Sequence, residues 1–105
     1  MASPASGNGN YSLDSSAAVV RSLELLQRQA SREGRGPAFK AAMLRILRDL
    51  RRNPLVVGEP LYRLAHLKLR VRVIVVSPVI IHYAVSETQP IVYLTSGKLL
   101  ALSDQ

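Results

Sequence analysis

From Leu67 to Thr95 the chain reads LKLRVRVIVVSPVIIHYAVSETQPIVYLT, three β-branched runs separated by two loops that each contain a proline. In the first run Leu67, Leu69, Val71, Val73 and Val75 alternate with Lys68, Arg70 and Arg72, the two-residue period of a strand with one buried face. The second run spans Val79 to Val85 and the third Ile91 to Thr95. The connections between them are short enough to force antiparallel hairpins. An even-numbered first loop sets Arg72 opposite Tyr83 and Val73 opposite His82, whereas an odd loop or a bulge flips one strand's faces. In the even register Arg70, Arg72 and Tyr83 share a face, expected to be the open one. Val71, Val73, Val75 and His82 are then expected to point toward the rest of the chain.

Upstream the period changes to that of helices. After a short strand at Tyr11 to Leu13, one of Asp14, Ser15 or Ser16 caps a helix in which Val19, Leu23, Leu26 and Ala30 form the apolar stripe. Gly34 and Gly36 end it, and Pro37 suits the first turn of the next. The second helix is expected from Pro37 to Arg52, burying Phe39, Met43, Ile46 and Leu50 with Ala42 and Leu47 beside them, and Asn53-Pro54 stops it. So short a connection makes the helices an antiparallel hairpin, and the sheet must cover their stripe. In the irregular connection Asn53 to Leu64, Leu55, Val56 and Val57 are expected to pin the chain to the core. Gly97-Lys98 is expected to turn the chain into a short edge segment, Leu99 to Leu102.

Composition narrows the picture. One small domain, 11–105, follows a leader, 1–10, that lacks a charged start and an apolar run and so reads as flexible rather than as a signal. Without cysteine there is no thiol chemistry, and two isolated histidines make a metal site improbable, so no cofactor is expected. A reducing cytoplasm fits. The most apolar stretch, Val71 to Val85, contains Arg72, Pro78 and His82, which excludes a membrane span.

The net charge of +7 is concentrated: ten basic residues between Arg35 and Arg72 face only Asp49 and Glu59, a local +8. Such a concentration points to a polyanionic partner or to a solvated face. On the second helix Arg45, Arg48 and Arg52 recur at i, i+3 and i+7 with Arg51 adjacent, a basic ridge suited to nucleic acid or an acidic protein. Glycine-rich phosphate loops, GxSxG and paired carboxylates are absent. Any chemistry would rest on cations, which stabilise phosphate charge, and on tyrosine or histidine for protons.

The order of elements, together with the pieces NPLVVGEPL, LKLRVRV and VIIHYAV, resembles the RelE/ParE family of bacterial type II toxin-antitoxin toxins over Tyr11 to Leu102. The resemblance implies an α+β fold with a helical hairpin on one face of a mainly antiparallel sheet of 3–5 strands. It also implies a toxin held inactive by a cognate acidic antitoxin. RelE-type members are metal-independent endoribonucleases that cleave mRNA on the ribosome with arginine, lysine and tyrosine side chains, while ParE-type members inhibit DNA gyrase. Carried over, Arg72 resembles the basic position of the first strand after the hairpin and Tyr83 the tyrosine closing the RVIY-type strand; Lys98, following a glycine, is placed to reach either a ligand phosphate or water. The departures are Ile80 where RVIY begins with arginine and Gly97-Lys98-Leu99 in place of Gly-His-Arg, which imply weakened or lost catalysis. The expected catalytic set is Arg72, Tyr83 and Lys98, and the expected binding set Lys68, Arg70, Arg45, Arg48 and Arg52. A non-catalytic nucleic-acid- or protein-binding module of the same fold is the alternative. Tyr62, Arg63 and His66 enter the sheet together and are candidates to flank a groove.

Overall fold

The computed structural model describes residues 10–102, and the leader residues 1–9 lie outside the described range. The elements follow in the order β1 (Ser12–Ser15), α1 (Ala17–Arg32), α2 (Gly36–Arg52), β2 (Glu59–Leu64), β3 (Leu69–Val76), β4 (Val79–Ser86) and β5 (Ile91–Leu99). They build an α+β domain: two helices on one face of a five-stranded sheet ordered β1-β5-β4-β3-β2, antiparallel except where β1 runs parallel to β5. Among the described residues no helix is long and apolar enough to cross a membrane.

Local chemistry sets the helix ends. The Ser16 hydroxyl accepts the Val19 N–H at 3.2 Å and caps α1, satisfying one of the amides that a helix start leaves unpaired. The next helix starts with Pro37 in its first turn and closes where Asn53 donates to the Asp49 carbonyl at 2.8 Å. Arg51 and Arg52 in its last turn sit favourably at the negative end of the helix dipole. Phe39, Ala42, Ile46 and Leu50 are buried, and Leu23, Leu26 and Met43 pack against them.

The first hairpin has the even loop, Ser77-Pro78, and pairs Arg72 with Tyr83 and Val73 with His82. Its faces, however, are the reverse of expectation. Ile74, Val79, Ile81, Tyr83 and Val85 face the helices, as does Arg72, which is 8% exposed; Val75 is 54% exposed on the other side. The reason lies in β4 and β5. On β4 the odd positions are Val79, Ile81, Tyr83 and Val85, whereas the even ones are Ile80, His82, Ala84 and Ser86. Burying the odd set, with Val92 and Leu94 of β5, removes more apolar surface from water than β3's valines could alone, and the register then carries Arg72 inward.

Two further expectations are corrected. Gly97 and Lys98 are strand residues of β5 rather than a turn. A Cβ at Gly97 would lie 2.6 Å from Leu23 Cδ2, so the glycine lets α1 approach the sheet. A bulge at Thr95 shifts the register between Tyr83↔Leu94 and His82↔Ser96, and its hydroxyl donates to the His82 carbonyl at 3.1 Å. In the 53–58 connection Leu55 and Val56 are exposed; fully buried Pro54 and core-packed Val57 pin the chain instead.

Candidate functional site

Arg72 and Tyr83 meet, but inside the protein. Tyr83 is fully buried, and its hydroxyl lies 2.9 Å from the carbonyl oxygens of both Pro54 and Val57, to either of which it donates. Arg72 Nε donates to Tyr83 Oη at 3.2 Å, and its Nη2 donates to the carbonyls of Val57 at 3.0 Å and Gly58 at 3.3 Å. A cation and a phenol thus hold the turn between α2 and β2 through three backbone carbonyls. Gly58 completes the clamp: its φ is +71°, and a Cβ there would lie 2.5 Å from the Val73 carbonyl oxygen and 2.8 Å from Tyr83 Oη.

Chemically this is a poor proton-transfer site. Burial pushes the Tyr83 phenol above its ordinary value of 10.0, against a smaller downward pull from Arg72. Tyr83 therefore stays protonated near neutral pH and works as a hydrogen-bond donor. Lys98, the third expected catalytic group, is exposed on β5 opposite Ile80, on the other face of the sheet from Arg72 and Tyr83. The three do not form one site.

The expected binding residues remain at the surface. Arg45 and Arg48 have side chains 63% and 60% exposed and share Asp49 at 3.7 and 3.4 Å. Arg52 is also exposed. Arg70, with Arg63 opposite it on β2, closes on Glu87 of the second hairpin: Arg63 Nε and Nη2 donate to its two oxygens at 2.5 and 2.8 Å, and Arg70 Nε lies 3.1 Å away. The hydrogen bond from Arg63, with the nearby Arg70 and Lys68 charges, holds the Glu87 carboxyl below its ordinary 4.5. Lys68 is exposed in the turn before β3.

Comparison with protein-family models and with curated proteins gave no match. The site is therefore read from its geometry.

Sequence reasoning missed Pro54 and Gly58 as clamp residues; the signal available was the Arg72↔Tyr83 pairing, which placed two polar side chains beside β4's most apolar positions. His82, expected toward the helices, lies on the outer face, where its enclosed Nδ1 has no hydrogen-bond partner. Among the described residues no three His, Asp or Glu side chains gather as metal ligands would. Tyr62 and His66 are exposed at the β2 end of the sheet, and Arg63 is taken up by Glu87.

Proposed function

We propose that this chain acts by binding rather than by cleavage: a toxin component of a type II toxin-antitoxin module, built on a RelE/ParE-like fold, that engages translation or DNA gyrase through its basic helix face. The observation that carries the reading is the inward placement of Arg72 and Tyr83. The residue types a nuclease of this family would aim at RNA instead hold a backbone turn. The exposed cations Arg45, Arg48 and Arg52 remain available on α2 with only Asp49 beside them. Such a ridge is matched by an acidic antitoxin laying a helix along it, or by the phosphates of a target complex.

The test is expression of wild type, the triple variant Arg45→Gln/Arg48→Gln/Arg52→Gln, and Tyr83→Phe. Growth, mRNA cleavage on translating ribosomes and gyrase supercoiling are followed in parallel. Growth inhibition without mRNA cleavage, lost in the triple variant, is the expected result. Cleavage by the wild type that disappears in Tyr83→Phe, after normalisation to the amount of folded protein, would make the protein a nuclease and overturn the proposal. A chain with no effect in any assay would identify a binding module of the same fold without toxin activity.

A further inference from the structure

The helices cover one side of the sheet only, and no described element lies over the other. By register, Val71, Val73 and Val75 of β3 share that outer face with Ala84, His82 and Ile80 of β4. Tyr62 of β2 and Tyr93 of β5 flank them in the cross-strand row of Val71 and Ala84. Val75 is 54% and Tyr62 59% exposed. Leu67, 55% exposed, opens with Leu69 and Tyr93 onto a depression of about 330 Å³ at one end of the face. Val71 and Ala84, at the centre of the face, are buried within the chain, and around them exposed Val75 and Tyr62 with half-buried Val73, Ile80 and Tyr93 leave apolar surface of the kind that marks an interface on a small domain.

We infer that this face joins two copies of the chain, sheet against sheet, about a two-fold axis that runs along the strands between β3 and β4. Charge placement selects a second copy over an acidic partner. The surplus cations lie elsewhere, on α2 and in the Arg63–Arg70–Glu87 cluster. The charged positions on the outer face are Lys98 opposite Ile80, Glu59 opposite Val73 and Asp14 opposite Tyr93, a nearly balanced set that offers an acidic ligand nothing.

The symmetry is self-complementary. Rotation about that axis lays β3 over the second copy's β4 and β2 over its β5 while keeping the rows in step. Val73 then meets His82, Val75 meets Ile80 and Tyr62 meets Tyr93, each contact made twice. Glu59, in the row of Val73, His82 and Ser96, falls over Ser96 of the other copy. Lys98 is the next residue on that face, about 7 Å along the strand and within reach of the carboxylate. Two Glu59–Lys98 pairs would close the two rims.

Four strands of about seven residues present a face of roughly 450 Å² in projection. Standard interfaces bury about 800 Å² per partner, so a dimer of micromolar rather than nanomolar affinity is expected. This inference does not depend on the function proposed above, which uses the opposite side of the molecule.

Sedimentation of the full chain across the micromolar range should show a monomer–dimer equilibrium. Val75→Asp should abolish the dimer, and Leu44→Asp on the helical side should leave it unchanged. Glu59→Lys and Lys98→Glu should each weaken it by about tenfold, since each turns two attractive pairs repulsive, and the double exchange should restore wild-type affinity. All four sites are exposed, so circular dichroism should confirm that each variant folds. A chain that stays monomeric throughout, a dimer indifferent to Val75→Asp, or a double exchange that fails to restore association would overturn the inference.

Discussion

Replacing Tyr83 with phenylalanine removes one oxygen and leaves the ring to fill its place in the buried core. That oxygen is the donor for the Pro54 or Val57 carbonyl and the acceptor for Arg72 Nε. Losing a buried hydrogen bond and stranding its partners costs about 1–3 kcal/mol per uncompensated group. Arg72 keeps its two carbonyl contacts, so the net loss should be about 2–3 kcal/mol. At about 4–8 °C per kcal/mol for a domain of this size, the melting midpoint should fall by about 10–20 °C. Urea unfolding followed by circular dichroism measures it, with exposed Tyr62→Phe as a control expected to change stability by less than about 0.5 kcal/mol. Arg72→Met and the double variant complete a cycle whose coupling should be at least about 1 kcal/mol. If Tyr83→Phe unfolds at the wild-type urea midpoint, the hydroxyl holds nothing, and the inward clamp is wrong as an energetic account.

The remaining expectations concern the same turn and the second hairpin. Gly58→Ala should destabilise by about 2–4 kcal/mol, because it combines a left-handed backbone with a clash against the Val73 carbonyl; an unchanged urea midpoint would refute the close approach. Because the Tyr83 pKa is raised on folding, its contribution to stability is fully present below pH 10.0 and is lost as pH rises through the folded value. Tyr83→Phe should flatten that alkaline limb in a pH series of unfolding curves. Glu87 is the opposite case: its folded pKa lies below 4.5, so its contribution is present above that pH and disappears on acidification through the lowered value. Glu87→Gln should reduce the acid-side slope of stability while leaving the alkaline side unchanged.

Much of the architecture was legible in the chain. The helix stripes and the stop at Asn53-Pro54 followed from local rules, which left the cap of α1 open among Asp14, Ser15 and Ser16 and the first hairpin open between an even and an odd loop. What failed was a choice between two faces, each rich enough in valine and isoleucine to be buried. The alternation in β3 sets Val71, Val73 and Val75 against Arg70 and Arg72, and read alone it puts the arginines outside. Only when the pairing with β4 is imposed do Val79, Ile81 and Val85 join the Arg72 side, and three large aliphatic residues outweigh one guanidinium that has carbonyls to receive it. The short apolar turn from Pro54 to Gly58 supplied those acceptors through its backbone. Nothing in its composition announced that its carbonyls would point at one arginine and one tyrosine.

That reversal changes how the resemblance to RelE/ParE toxins should be tested. Arg72 and Tyr83 were carried over as catalytic candidates because their residue types match a pattern, and the same two residues secure the turn that leads from α2 into β2. A variant at either position will therefore lower the folded fraction before it reports on any chemistry. Loss of toxicity in Arg72→Ala or Tyr83→Phe separates catalysis from folding only when normalised to the amount of folded protein. The exposed arginines of α2 carry no such ambiguity, since Arg45 and Arg48 are largely exposed and pair with Asp49 at the surface, and their removal should cost less than about 1 kcal/mol. A functional loss there, at constant stability, would be a loss of contact with a partner.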